Sequence, residues 1–157
     1  MTGSLRIRPF GPFDLPLATL LHRAAFDEEA WDLKALTEVL NMPGAFGLLA
    51  LDESFGDLRP QGFLLGLFVA FDAEVLTLAV QPDSRRQGIG RALMNEFAAQ
   101  ARARGATNVL LEVAEDNPPA RALYAGMGFI EEGVRLNYYK RAGGRTAAAY
   151  LLRMPVL

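Results

Sequence analysis

The sequence contains no cysteine and a single histidine, and these shortages limit the chemistry open to it. Without a thiol, the chain forms no disulfide, no thiolate metal site and no cysteine nucleophile. The one histidine, His22, lies in a stretch whose apolar spacing is typical of a scaffold helix, so we expect it to be structural. No metal site is indicated, and the lack of cysteine favours a cytoplasmic enzyme.

The sequence also lacks an excess of positive charge and lacks long apolar runs. Its net charge is −2, which argues against a broad surface for nucleic acid or for an anionic membrane. Arg6, Arg8 and Asp14 interrupt the N-terminal segment, which is therefore not typical of a signal peptide. No run approaches the roughly 20 apolar residues that span a bilayer. We expect the 157 residues, 51% of them hydrophobic, to form a single domain over 1–157.

Alternating and continuous apolar runs predict seven strands, and runs with helical spacing predict four helices. The strands are expected at residues 5–9, 45–51, 62–71, 74–80, 107–114, 129–132 and 148–155. The helices are expected after Asp14 and at residues 33–40, 88–104 and 118–127, and residues 137–144 are expected to form a polar, aromatic loop. A helix joins the strands at 74–80 and 107–114, so those two strands should be parallel. The fold class is therefore α/β, a mixed central sheet of about seven strands with helices on both faces.

The loop after the strand at 74–80 is rich in arginine and glycine. It reads Arg85-Arg86-Gln87-Gly88-Ile89-Gly90-Arg91-Ala92, and helical apolar spacing begins at Ile89. The first N–H groups of a helix have no partner within it and carry the positive end of its dipole. Gly88 and Gly90 have no Cβ, so a ligand can approach those N–H groups closely. We therefore expect a site for an anion such as phosphate at this loop.

Two common phosphate motifs do not fit this loop. A P-loop needs Gly-Lys-Ser/Thr at the helix start, and the dinucleotide-binding pattern needs Gly or Ala where Leu93 stands. The loop instead resembles the acetyl-CoA pyrophosphate loop of the GCN5-related N-acetyltransferases (the GNAT superfamily), Arg/Gln-x-x-Gly-x-Gly/Ala. A basic turn that caps a surface helix is the alternative.

The predicted strand Thr107-Asn108-Val109-Leu110-Leu111-Glu112-Val113 carries one carboxylate among apolar residues. Alternation places Glu112 on the same face as Asn108 and Leu110. Burying a carboxylate is costly unless it is paired or hydrogen-bonded, and desolvation would raise its pKa and make it a better base near neutral pH. Glu112 is therefore either a candidate base or an edge residue that pairs with a nearby arginine.

The next segment, Asn117-Pro118-Pro119-Ala120-Arg121-Ala122-Leu123-Tyr124-Ala125-Gly126-Met127-Gly128-Phe129, resembles the GNAT motif Asn-x-x-Ala-x-x-Leu-Tyr-x-x-x-Gly-Phe. Together with Glu112, the loop at 85–92 and Asn137-Tyr138-Tyr139, it resembles the RimI-like, ribosomal-protein-alanine N-acetyltransferase branch. The resemblance runs from about residue 26 to the C-terminus. It implies a single-domain GNAT fold in which acetyl-CoA lies in a cleft where strands four and five splay apart.

The resemblance also implies residue roles in an acetyl transfer by direct attack within a ternary complex. Glu112 would take a proton from the acceptor ammonium, directly or through water. Tyr124 would protonate the departing thiolate, although it could also be a core aromatic. Asn117 would hydrogen-bond the cofactor arm, and backbone groups of strand four would pair with the pantetheine. The implied acetyl-CoA site comprises Leu78, Ala79, Val80, Arg85, Arg86, Gln87, Gly88, Ile89, Gly90, Arg91, Ala92 and Asn117.

In this branch the acceptor is a protein N-terminus, classically on a ribosomal protein, and the implied groove has Trp31, Tyr138 and Tyr139 as candidate walls. Trp31 could equally be core, and the two tyrosines could be a strand-edge pair. Relatives tend to carry an acidic residue followed by alanine before the last strand, where this chain has alanine at 147–149. The departure leaves acetyl transfer untouched but weakens the case for a ribosomal substrate.

Two other functions fit the same motifs. A small amine such as a polyamine or an aminoglycoside is a polycation that calls for several carboxylates. The cluster Asp27-Glu28-Glu29 offers some, although a solvated helix junction explains it as well. A catalytically silent acyl-CoA-binding sensor would keep the cofactor site, but the presence of Glu112 and Tyr124 argues against it. The sequence leaves the oligomeric state open.

Overall fold

The computed structural model describes residues 4–54 and 56–156, which build one seven-stranded sheet and four α-helices. The strands are β1 (Leu5–Pro9), β2 (Ala45–Asp52), β3 (Arg59–Val69), β4 (Asp72–Val80), β5 (Asn108–Ala114), β6 (Ile130–Lys140) and β7 (Thr146–Pro155). The helices are α1 (Leu15–Phe26), α2 (Leu33–Leu40), α3 (Ile89–Ala103) and α4 (Pro118–Met127). Along the described residues, no helix is both long enough and apolar enough to cross a membrane.

The strand order β1-β2-β3-β4-β5-β7-β6 makes the sheet mixed. β1 to β4 pair antiparallel in chain order, and β4 and β5 are parallel because α3 carries the chain back between them. β7 returns between β5 and β6 and is antiparallel to both. The predicted α/β fold with a mixed sheet of about seven strands is therefore confirmed.

The helices cover both faces of the sheet and build two cores. α3 and α4 pack on one face, where Leu93 and Phe97 are fully buried against Val109 of β5. α1 and α2 pack on the other face, where Leu36 is fully buried with Phe63 of β3. Each such side chain contributes about 1.5–3 kcal/mol by leaving water. The two cores fix the middle of the sheet, from which the strands continue toward the cleft described below.

A bulge in the β3–β4 pairing decides which residues of β4 face each core. The register shifts between Leu65 and Gly66, and a Cβ on Gly66 would lie 2.5 Å from ring atoms of Phe97. Only glycine therefore fits beneath that ring. The shift places Val75 in the core under α3 and Thr77 against α1, although residues two apart on a regular strand share a face.

The end of β6 is the main departure from the predicted elements, because residues 137–140 are strand and not loop. β6 pairs with β7 at Arg135↔Ala149 and, after a bulge, again at Tyr139↔Ala147. Asn137 takes a left-handed φ of 54° at the bulge, and its Oδ1 accepts a hydrogen bond from Thr146 Oγ1 at 2.6 Å. These residues form a strand because they pair with β7, and the amino-acid composition of the segment does not indicate that pairing.

Candidate active site

A cleft opens in the sheet where β4 and β5 stop pairing. The two strands share only three residue pairs, the last being Glu74↔Leu110, although β4 continues to Val80 and β5 to Ala114. Beyond that point, within the described part of the chain, the side of β4 that faces β5 has no strand partner. The cleft has a volume of about 1310 Å³. The predicted splay between strands four and five is therefore confirmed.

The arginine- and glycine-rich loop borders this cleft at the start of α3. The chain leaves β4 through the turn Pro82–Ser84, where the buried Ser84 hydroxyl donates a hydrogen bond to Gln61. Arg86 and Gly88 take left-handed φ values of 65° and 79°, which turn the chain into the helix. Gly88 provides no side-chain cap, so the first N–H groups of α3 remain available to an anion.

The arginines of the loop tie it to the helices on either side. Arg85 Nη2 donates to the carbonyl of Ala25 in α1 at 3.1 Å. Arg91 Nη2 donates to the carbonyl of Gly126 in α4 at 3.4 Å. Arg86 is exposed, and all three arginines line the cleft. Arg85 and Arg91 therefore hold the loop in place, and all three arginines add positive charge near the free N–H groups.

Gly88→Ala should weaken the binding of acetyl-CoA, the expected cofactor, whereas Gly105→Ala should not. The two glycines stand at opposite ends of α3 with φ of 79° and 88°, and an added Cβ would meet nothing within 4 Å at either. Alanine in this conformation costs about 1–2 kcal/mol, so both variants should lose similar stability. Only Gly88 shapes the anion loop, so only its variant should lose affinity, by about tenfold. Calorimetric titration with acetyl-CoA checks this, and equal affinities would contradict it.

Glu112 lies on β5 beside the cleft, and its carboxylate is paired. Arg135 of β6 places its Nε 3.4 Å from Glu112 Oε1, and the Glu112 side chain keeps 29% exposure. Glu112 also lines the cleft. Both readings of this residue therefore describe part of its surroundings, since it is a carboxylate open to the cleft and also the partner of an arginine.

Glu74 of β4 is a second carboxylate near Glu112, and the sequence did not single it out. Its register partner Leu110 stands two residues before Glu112, so the two acids share one face of the sheet. Burial and then the charge of Glu112 raise the pKa of Glu74, while Arg135 opposes the shift. This cluster does not suit a metal, and among the described residues no three His, Asp or Glu side chains could hold one.

Tyr124 of α4 is buried, and it lines the cleft. Its ring packs edge-on against Phe129 with centroids 5.6 Å apart. Burial raises the pKa of Tyr124 to about 12, so its hydroxyl keeps its proton at neutral pH. Tyr124 is therefore at once a core aromatic and a lining residue of the cleft.

Asn117 is the N-cap of α4, where its Oδ1 accepts the N–H of Ala120 at 3.3 Å. That bond uses the amide oxygen of Asn117, and the residue also lines the cleft. Most residues expected to bind acetyl-CoA also line the cleft: Leu78, Val80, Arg85, Arg86, Gly88, Ile89, Gly90 and Arg91. Ala79 is buried in the core under α1 and α2, and Gln87 and Ala92 stand beside the cleft without lining it.

His22 is buried and joins α1 to the sheet and to the junction before α2. Its Nδ1 accepts the N–H of Trp31 at 3.0 Å, so its Nε2 carries the proton and donates to Thr77 Oγ1 at 2.9 Å. Burial lowers the pKa of His22 to about 4. Trp31 stacks on this imidazole at 5.2 Å and lines the cleft, so it is both a core residue and a wall. These contacts agree with a structural role for His22.

Tyr138 and Tyr139 line the same cleft from the end of β6. Their rings meet edge-on at 5.1 Å, with Tyr138 exposed and Tyr139 half-buried. Burial and then the charge of Glu112 raise the pKa of Tyr139, so its hydroxyl lies within electrostatic reach of that carboxylate. The tyrosine pair is therefore at once a strand-edge pair and a wall of the cleft.

A carboxylate does reach the start of the last strand, although residues 147–149 are alanine. Glu115 Oε1 accepts the N–H of Ala148 at 2.7 Å, and the Glu115 N–H donates to the Ala148 carbonyl at 2.9 Å. Glu115 comes from the turn between β5 and α4. A carboxylate from another segment therefore binds the backbone of the last strand, where the strand itself has only alanines.

Three comparisons relate the chain to known proteins. The model of the acetyltransferase (GNAT) family matches residues 17–129. The ribosomal protein bS18-alanine N-acetyltransferase of Escherichia coli strain K12 is 37% identical over 94 residues, which are 60% of this chain and 63% of that protein. Its namesake in Haemophilus influenzae is 31% identical over 136 residues, 78% of this chain and 92% of that protein. The crystal structure of the E. coli ribosomal-protein-S18-alanine N-acetyltransferase superposes with a TM-score of 0.87 at 28% identity, over 97% of this chain and 94% of that chain.

These matches carry different weight. The E. coli sequence match spans less than two thirds of that relative, whereas the structural match spans almost all of both chains. The predicted resemblance to the RimI-like branch is confirmed by the names of these relatives, and the predicted cofactor is the one that the GNAT family uses, acetyl-CoA. Since the family model covers most of the sequence, the chain belongs to the acetyltransferase (GNAT) family.

Proposed function

We propose that the protein is an acetyl-CoA-dependent N-acetyltransferase that works as a single domain in the cytoplasm and acetylates the N-terminal α-amine of a protein. The observation that carries the proposal is that the anion loop, Glu112 and Tyr124 all border one cleft. The relatives named as alanine N-acetyltransferases of a ribosomal protein support the choice of acceptor.

The residues of the cleft fit acetyl-CoA. The uncapped N–H groups at the start of α3 suit a pyrophosphate. The side of β4 left unpaired beyond Glu74 suits the amides of a pantetheine arm, which can add to a sheet edge like a strand. The loop at 85–92, the backbone of Leu78 and Val80, and Asn117 would hold the molecule. When bound, acetyl-CoA supplies the acetyl group as an activated thioester.

Glu112 would prepare the acceptor for attack. An amine is mostly protonated at neutral pH, and its ammonium has no free electron pair. Glu112 would accept that proton at a carboxylate oxygen, directly or through water, while Arg135 holds the carboxylate in place. An α-amine, with a pKa of about 8, is about 3 kcal/mol easier to deprotonate than a lysine at about 10.4. This difference favours a chain terminus over a lysine side chain.

Tyr124 would supply the second proton, from its hydroxyl to the departing thiolate sulfur. The raised pKa of Tyr124 keeps its hydroxyl protonated until the thioester bond breaks and the thiolate forms. A free thiol has a pKa of about 8.5, but a thiolate that leaves in the same buried surroundings is destabilised as well. Both pKa values therefore rise together, and the hydroxyl is suited to hydrogen-bond and then protonate the sulfur.

Two alternatives are less well supported. A polyamine or aminoglycoside acceptor needs free carboxylates in the groove, and Glu29 of the acidic cluster is already bound to Arg141. A silent acyl-CoA sensor needs neither a base nor an acid, yet Glu112 and Tyr124 both border the cleft.

Release of free thiol from acetyl-CoA, measured with two matched peptides that begin with alanine, tests the proposal. One peptide has a free α-amine and a blocked lysine, and the other has the reverse. We expect turnover only with the free α-amine. Turnover only at lysine, or with spermidine but neither peptide, would contradict the acceptor class. Acetyl-CoA binding without turnover of any amine would favour the sensor.

A further inference from the structure

Three charged side chains from distant segments meet at one end of the cleft. Arg141, just after β6, places Nη1 2.7 Å from Glu29 Oε1. Its Nε and Nη2 donate to the two carboxylate oxygens of Asp116 at 2.7 and 2.9 Å. Glu29 lies between α1 and α2, and Asp116 lies between β5 and α4. All three residues line the cleft. We call this group the Arg141 bridge.

The Arg141 bridge has more hydrogen bonds and a less exposed arginine than an isolated surface ion pair. The guanidinium binds the Asp116 carboxylate in a bidentate manner, through Nε and Nη2, which lysine cannot reproduce. The Arg141 side chain is only 19% exposed, whereas Glu29 is 56% and Asp116 46% exposed. The hydrogen bond from Arg141 lowers the pKa of Asp116 and, in turn, raises the pKa of Arg141. The bridge therefore fixes three loops relative to one another.

The bridge also reaches toward the expected base. The Arg141 guanidinium carbon stands 5.0 Å from the centre of the Tyr139 ring, within range of a cation–π contact. The Tyr139 hydroxyl is in turn within electrostatic reach of Glu112. Arg141 thus holds an aromatic wall of the cleft beside the carboxylate that would deprotonate the acceptor.

We propose that Arg141 is a specificity-determining residue of the acceptor groove. It occupies the carboxylates of Glu29 and Asp116 and positions Tyr139, so that the groove accepts a single ammonium and refuses a polycation. The proposal rests on the proposed function, because it concerns the choice of acceptor amine. A chain terminus brings one ammonium for Glu112, followed by backbone that can lie along the aromatic wall. A polyamine brings further ammoniums, which would need the two occupied carboxylates and would be repelled by Arg141.

Arg141→Ala should therefore change selectivity and not only activity. With saturating acetyl-CoA, kcat/KM for the alanine peptide should fall about tenfold, mainly through KM, as the wall loses its support. The kcat/KM for spermidine should rise at least about tenfold, because two carboxylates become free. Adding Glu29→Gln and Asp116→Asn to this variant should abolish the gain. Arg141→Lys keeps the charge but loses the bidentate contact with Asp116, so its kcat/KM for each acceptor should lie between those of wild type and Arg141→Ala.

Spermidine binding to the protein without acetyl-CoA, measured by calorimetry, gives a readout independent of turnover. We expect tighter binding to the Arg141→Ala protein than to wild type, with matched melting curves to show that both are folded. An unchanged peptide-to-spermidine ratio, or an equal loss for both acceptors with a raised KM for acetyl-CoA, would overturn the proposal. A wild type that acetylates no peptide would refute the proposed function, while spermidine binding would still decide the role of the bridge.

Discussion

Glu112→Gln and Tyr124→Phe are each expected to lower kcat by about 10²–10⁴-fold, the range typical of a lost general base or acid. Glutamine keeps the size of the side chain but cannot take a proton from the acceptor. Phenylalanine keeps the packing against Phe129 and removes only the hydroxyl. Affinity for acetyl-CoA should stay nearly unchanged in both. Steady-state kinetics with the alanine peptide and calorimetric binding of acetyl-CoA measure the two quantities.

Two further variants make this prediction sharper. Glu131→Gln alters an exposed carboxylate of β6 outside the cleft and should leave kcat unchanged. Glu74→Gln tests the neighbouring acid. If it lowers kcat more than Glu112→Gln does, Glu74 and not Glu112 is the general base. Arg135 is 54% exposed, so it stays hydrated in Glu112→Gln and stability should fall by no more than about 1 kcal/mol. Full turnover in both Glu112→Gln and Tyr124→Phe would show that the catalytic assignment is wrong.

The parts of the site that the sequence predicted are those encoded locally. The strand before Pro82, the glycines of the loop and the start of α3 lie within one short stretch, so their geometry follows from neighbouring residues. The same holds for Asn117, whose side chain caps the helix that begins at the next residue. Local encoding is also why most of the strand and helix positions could be predicted from periodicity.

The parts that the sequence did not predict depend on pairing between distant strands. Arg135 reaches Glu112 only because β7 lies between β5 and β6 and sets the register of both. The Arg141 bridge joins residues 29, 116 and 141, and no local pattern marks any of them as a partner of the others. The register between strands that are distant in sequence is therefore what could not be predicted from the sequence alone.

His22 shows how a residue can be assigned correctly without its partners being foreseen. Helical spacing placed it in the scaffold, but only the fold brings it to Thr77 on β4 and to the N–H of Trp31. Both hydrogen bonds require the neutral ring, because Nδ1 must accept while Nε2 donates. Protonation would turn Nδ1 into a donor that faces the Trp31 N–H. The imidazole therefore supports the Trp31 wall of the cleft only while it is uncharged.

Stability should consequently fall as the pH is lowered from about 6.5 to about 4. The folded pKa of His22 is about 4 and its ordinary value is 6.5, so the unfolded chain binds the proton first in this range. The contribution is fully present above pH 6.5 and is lost as the pH approaches 4, by about 3 kcal/mol in total. His22→Gln lacks this titration, while the carboxylates that titrate in both proteins cancel in the comparison. Urea unfolding at several pH values should therefore show the advantage of wild type over His22→Gln shrinking as the pH falls. A difference that is independent of pH would mean that His22 is not held neutral by the fold.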